Sequence, residues 1–99
     1  MSQYQIILSP RSKADLADIY AYTLQSWGKV QADTYLDKIE QSFNQLLDNP
    51  QIGRERSDIK EGYRCLNIEK HVLFYKLSKN EIHILGVLHS RMDIVNRLL

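Results

Sequence analysis

Two apolar stripes at helical spacing meet at a single glycine, and no other feature restricts the fold of this chain as strongly. Leu16, Ile19, Tyr20, Thr23 and Trp27 recur at i, i+3, i+4, i+7 and i+11, the repeat of one helix face. Ala32, Tyr35, Leu36, Ile39, Phe43, Leu46 and Leu47 take up the same repeat straight afterwards. Gly28 stands between them, suited to the left-handed residue that ends a helix. Ser9 is a good N-cap for the first stripe, and Pro10 follows at the first helical position, where its missing N–H costs nothing. Ser12 with Asp15 three residues on offers an alternative capping pair. Asn49-Pro50 stops the second stripe, because the residue before a proline disfavours helix. A joint this short predicts an antiparallel helical hairpin over residues 10–48.

The remaining apolar segments read as strands. Residues 3–8 are short, carry adjacent β-branched residues and stop at Ser9-Pro10, which predicts a strand. Segments 63–68, 71–77 and 81–89 follow a polar loop at 51–60 that carries Gly53. Glu69-Lys70 makes the first turn between them. Ser78-Lys79-Asn80 makes the second, with Asn80 able to tolerate a positive φ. Met92, Val95 and Leu99 return to helical spacing in the tail. The order β-α-α-β-β-β over residues 1–99 predicts one α+β domain, with the helical hairpin packed on one face of a mostly antiparallel sheet.

A two-residue loop at Lys79 and Asn80 sets a register in which Leu73 faces Gly86, Tyr75 faces Ile84 and Leu77 faces Ile82. Directly opposite residues share a face. Leu73, Tyr75, Leu77, Ile82, Ile84 and Leu88 then form the face beneath the helices. Val72, Phe74, Leu85 and Val87 form the other, edged by Lys76, His83 and His89. That second face is too apolar to stand open in water. Two covers fit it, the C-terminal tail or another chain.

Charge and cysteine usage narrow the function. Thirteen Lys and Arg against twelve Asp and Glu leave +1, which argues against a protein whose main task is gripping a nucleic-acid backbone. The lone Cys65 excludes an intramolecular disulfide and a cysteine zinc cluster, fits a reducing compartment, and reads as a small core residue. No apolar run approaches the ~20 residues of a membrane span, and the N-terminus lacks the pattern of a secretory signal. A cytoplasmic protein without membrane contact is the expectation. His83 and His89 lie roughly 20 Å apart along one strand, too far to share a metal, and no third ligand joins His71 and His89. Arg64, His71, His89 and Arg91 are the residue types that metal-independent RNA cleavage needs as acid, base and cations. The plainer reading has His89 and Arg91 capping the sheet end and pairing with Asp93. Arg54, Arg56 and Lys60 form a basic loop cluster diluted by Glu55, Asp58 and Glu61. Tyr20, Trp27 and Tyr35 lie on the helical stripes, so core packing is expected of them rather than a platform for bases.

The pattern resembles the ParE/RelE superfamily of toxins from toxin–antitoxin modules, and within it the ParE branch. The likeness runs through Leu8-Ser9-Pro10, Ala14-Asp15-Leu16 with Ile19 and Tyr22, Trp27-Gly28, Gln31-Ala32 with Tyr35, and Asn49-Pro50 with Ile52-Gly53-Arg54. It continues through Gly62-Tyr63-Arg64, His71-Val72-Leu73-Phe74-Tyr75, Ile84, Val87-Leu88-His89 and Arg91-Met92-Asp93. The resemblance implies a toxin that acts by binding DNA gyrase, without active site or cofactor, and is silenced by a ParD-like antitoxin. It implies target binding by the C-terminal region, here His89, Arg91, Met92, Asp93 and Arg97. The apolar set Val72, Phe74, Leu85 and Val87 is the expected antitoxin surface. The RelE branch, ribosome-dependent cleavage of mRNA, is the alternative. Its usual strand cations and C-terminal tyrosine are missing here: Val72 stands where an arginine would align, and nothing after Tyr75 is tyrosine. A non-toxic binding module of the same fold is the third reading.

Overall fold

The computed structural model describes residues 3–91 and 94–98. Strand β1 (Gln5–Leu8) leads into helices α1 (Pro10–Trp27) and α2 (Lys29–Asp48). Strands β2 (Arg54–Glu55), β3 (Arg64–Ile68), β4 (His71–Ser78) and β5 (Glu81–His89) follow, and α3 (Ile94–Leu98) ends the described chain. The sheet has the order β1-β5-β4-β3-β2, with β1 parallel to β5 and every other pair antiparallel. The expected α+β architecture is therefore present, with one addition: β2, a two-residue strand inside the segment read as loop, pairs with Cys65 and Arg64.

The helix boundaries follow local chemistry. The Ser9 hydroxyl accepts from the Ser12 N–H at 3.0 Å, satisfying one of the donors that a helix start leaves free. Ser12 is thus not the cap; it is buried, and its hydroxyl donates to the Ser9 carbonyl at 2.8 Å. Gly28 joins the two helices with φ 92°, a left-handed backbone that costs a glycine little. In the β4–β5 turn the positive φ of 56° belongs to Lys79 and not to Asn80.

The β4–β5 register departs from expectation at one point. Ser78 pairs with Glu81, Leu77 with Ile82 and Tyr75 with Ile84, as anticipated, but Phe74 pairs with Gly86 and Leu73 with Val87. Leu85 is the extra residue of a β-bulge. A shift of one residue exchanges faces, so Val87 joins the helix-covered core with Leu73, Tyr75, Ile82 and Ile84, and Leu88 joins Phe74 on the second face. These two assignments correct the alternation read from the sequence. His89 likewise comes to face His71.

The bulge is held by the start of α1. Strand β1 stops opposite Ile84, and the Ser9 N–H donates to the Ile84 carbonyl at 3.2 Å. Beyond that point β5 has no strand on this edge among the described residues. The Asp15 carboxylate takes the Val87 N–H at 3.0 Å, and the Ser9 hydroxyl lies 3.3 Å from the Leu85 carbonyl. A side chain at Gly86 would meet Leu98 at 3.1 Å and Asp15 at 3.3 Å, so helix, strand and tail converge where β5 is thinnest.

The second face is covered by the chain itself. Ile59 and Tyr63 from the loop before β3 bury Phe74, Cys65 and Leu88, and Ile94 and Leu98 of α3 pack beside them. Arg56 adds its guanidinium 5.7 Å from the Phe74 ring centroid, a cation–π contact. Of the four residues expected on an open face, Phe74 is 0% and Val87 2% exposed; Val72 and Leu85 stay partly exposed.

Candidate functional site

Two clusters from the sequence can now be placed. The first is Arg64 at the β2 end of the sheet. Its guanidinium donates to the Gly53 carbonyl at 2.7 Å and to Gln51 O at 3.3 Å, and pairs with Glu55 at 3.3 Å. It secures the loop that Tyr75 secures from beneath, where the Tyr75 hydroxyl donates to Pro50 O at 2.8 Å and accepts from the Gly53 N–H at 2.9 Å. Burial pushes the Tyr75 phenol up.

The second cluster lies at the opposite end of β4. Arg64 pairs with Tyr75 and Ile68 with His71, which separates Arg64 from His71 by four strand positions, about 13 Å. The proposed ribonuclease set is thus not gathered: His71 and His89 meet, while Arg64 is engaged elsewhere. The His71 and His89 rings stand edge to face with centroids 5.4 Å apart. Arg91 follows them on the surface. Met92 and Asp93, the other expected members of the target-binding set, lie outside the described residues, and so does the expected ion pair with Asp93.

Hydrogen bonds fix the histidine tautomers. The Tyr35 hydroxyl has one proton and donates it to Ile68 O at 2.8 Å. Its 2.5 Å contact with His71 Nδ1 then runs the other way, from Nδ1–H to the phenolic oxygen, leaving His71 Nε2 as an acceptor. His89 Nδ1 accepts the Arg91 N–H at 3.1 Å, so its proton sits on Nε2. Burial, with the neighbouring His89 adding to it, lowers the His71 pKa against a smaller opposing pull from Asp15. Burial and the Glu69 carboxylate push Tyr35 up to about 12. His71 and Tyr35 are therefore neutral at pH 7. Among the described residues no three His, Cys, Asp or Glu side chains could together hold a metal ion. His83 stands apart on β5, 3.0 Å from Glu81.

A surface groove of about 290 Å³ opens beside this cluster, between the helical hairpin and the β3–β4 turn; Trp27, Gln31, Tyr35, Lys70 and His71 line it. A smaller one of about 110 Å³ shares His71 with it and is lined also by His89, Arg11 and Arg97. Trp27 is 69% exposed. Core packing is the sequence expectation for it, and that is corrected: the stripe gives its direction, but Trp27 is the last residue of α1 and lies on the wall of the open groove. Tyr20 and Tyr35 are half-buried and hydrogen-bonded, Tyr20 to Asp33 at 2.8 Å. In the basic loop Arg56 is tied to Asp58 through two 3.0 Å bonds. No helix among the described residues is long and apolar enough to cross a membrane.

Fold and site together define a small α+β module in which Arg64 and Tyr75 brace a loop, while a facing histidine pair, several cations and the exposed Trp27 border open grooves. Residues 6–94 match the family model for the ParE toxin of the type II toxin–antitoxin system parDE. The chain is 38% identical over 93 residues to Toxin ParE1 of Mycobacterium tuberculosis, covering 93% of this chain and 95% of that protein. Its fold matches the chromosomal ParDE TA system from P. aeruginosa with a TM-score of 0.76, at 21% identity over 88% of this chain and 96% of that one. It also matches the YoeB dimer of Staphylococcus aureus with a TM-score of 0.64, at 22% identity over 89% and 98%. This chain belongs to the ParE toxin family of type II toxin–antitoxin systems.

Proposed function

We propose that this chain is a toxin that inhibits DNA gyrase by binding it, and that a ParD-like antitoxin neutralises it. Family membership over residues 6–94 carries the reading. The dispersal of the candidate acid, base and cations supports binding over catalysis, because phosphodiester cleavage needs them within reach of one phosphate. The proposed target surface is the β5 end with His89, Arg91 and Arg97, continued by Met92 and Asp93. Val72 and Leu85, the members of the apolar set that keep exposure, are the proposed antitoxin contacts.

Expression of the chain alone, then with its neighbouring reading frame, tests this. Solo expression is expected to cause filamentation and to accumulate gyrase-linked DNA breaks, and co-expression to abolish both. Toxicity without gyrase cleavage complexes overturns the gyrase assignment. A ribosome-dependent ribonuclease is the second reading, favoured by the facing His71–His89 pair. Toeprints at the ribosomal A site that vanish in His89→Ala would establish it; uncut message under a toxic dose would remove it. Absence of any phenotype would leave the non-toxic binding module.

A further inference from the structure

We propose that the groove between the helical hairpin and the β3–β4 turn binds an unpaired nucleotide of a single-stranded nucleic acid, with the base on Trp27 and adjoining phosphates on Lys70 and Arg97. The proposal rests on neither the gyrase nor the antitoxin reading, although Arg97 also belongs to the proposed target surface.

Trp27 is the starting point. An indole 69% exposed on a groove wall is a flat apolar surface with no ring contact among the described residues, and base stacking on such a surface stabilises single-strand complexes without needing a particular sequence. Around it stand groups that hydrogen-bond base edges: the Gln31 amide, the Nε2 acceptor of His71, and the Glu69 carboxylate. Lys38 already neutralises Glu69, so that carboxylate does not repel a phosphate as a bare anion would.

Cations stand on both sides of His71. Lys70 lines the groove, and Arg97 lines the smaller pocket that shares His71 with it. Lys70, Arg91 and Arg97 are exposed and make no ion pair among the described residues. Asp15 is engaged by the Val87 N–H and lies 3.6 Å from Arg11. Asp18, on the rim of the smaller pocket, is the acid there that makes no ion pair among the described residues.

The combination favours a strand over other anions. A duplex keeps its bases stacked, so it could offer phosphates to Lys70 and Arg97 but nothing to the indole. An acidic peptide could neutralise the cations but has no face matched to Trp27 and the base-reading groups. With a net charge of only +1, the contact should be weak and salt-sensitive.

Trp27 is the only tryptophan, so its fluorescence reports on the groove directly. A ten-nucleotide DNA strand should quench it at 50 mM salt. Two neutralised phosphates predict an affinity loss of about sevenfold on going to 200 mM salt. With a 5′-labelled strand read by anisotropy, Trp27→Leu should weaken binding roughly 5- to 150-fold, and Lys70→Glu should weaken it and flatten its salt dependence. Both variants should keep the parent's circular dichroism spectrum. The proposal is overturned by any of four results: no quenching at 50 mM salt, unchanged affinity in Trp27→Leu, equal binding of the matching duplex, or equal quenching by a polyglutamate peptide.

Discussion

At the scale of single residues, the polar groups with the greatest consequence are those whose partners are backbone atoms. Tyr75 is 0% exposed, and its hydroxyl is bonded to both Pro50 O and the Gly53 N–H. Tyr75→Phe keeps the ring and removes both bonds, so it is expected to lower the unfolding free energy by about 1–3 kcal/mol in a urea titration. The loop comes so close that a Cβ at Gly53 would sit 2.5 Å from that hydroxyl and 2.7 Å from Cys65 O. This is a steric reason for glycine, and nothing in the local sequence announces it. His71 carries a second residue-scale prediction. Burial and His89 hold its folded pKa below the ordinary histidine value of 6.5, so the unfolded chain binds the proton first as pH falls. Stability is then full above about pH 6.5 and declines as pH drops towards the folded pKa. Thermal melts between pH 7.5 and 5 should show the loss, and His71→Gln should flatten it over that interval.

At the scale of elements, the decisive junction is the docking of α1 on the bulged edge of β5. Asp15 supplies what a longer β1 would have supplied, an acceptor for the Val87 N–H. Asp15→Ala leaves that donor without its partner and should cost about 1–3 kcal/mol, while Ser9→Ala, losing an N-cap bond, should cost about 1 kcal/mol. Amide exchange checks the difference: Val87 should lose protection in the first variant, and Ser12 in the second. Helix limits were legible because their signals are local, in Ser9-Pro10, Gly28 and Asn49-Pro50. The bulge is not legible in the sequence, since alternation within β5 looks the same on both sides of Leu85 and only Gly86, a glycine inside a strand, hints at it. That one residue moved Val87, Leu88 and His89 to the opposite faces from those expected. Trp27 escaped for a related reason: periodicity gives the direction in which a side chain projects, not whether the sheet extends beneath it.

At the scale of the whole molecule, both faces of one sheet are apolar, and they are covered unequally. The α1–α2 hairpin buries the face that holds Leu73, Tyr75, Ile82 and Ile84 with two long helices. The other face relies on Ile59 and Tyr63 from a loop and on Ile94 and Leu98 from the five residues of α3. So short a helix has little stability of its own; it stays folded through the side chains it packs. Charging that contact tests how much of the cover it provides. The double substitution Ile94→Asp and Leu98→Asp should detach α3 from the Phe74 side of the sheet while the hairpin face stays packed. Far-UV circular dichroism should change little, dye binding to exposed apolar surface should rise, and the thermal midpoint should fall. Light scattering should then detect association through Val72, Phe74, Leu85 and Leu88, because an uncovered patch of that composition does not persist in water. If the variant stays monomeric, binds no dye and melts as the parent does, the loop residues alone shield this face and α3 is dispensable to it.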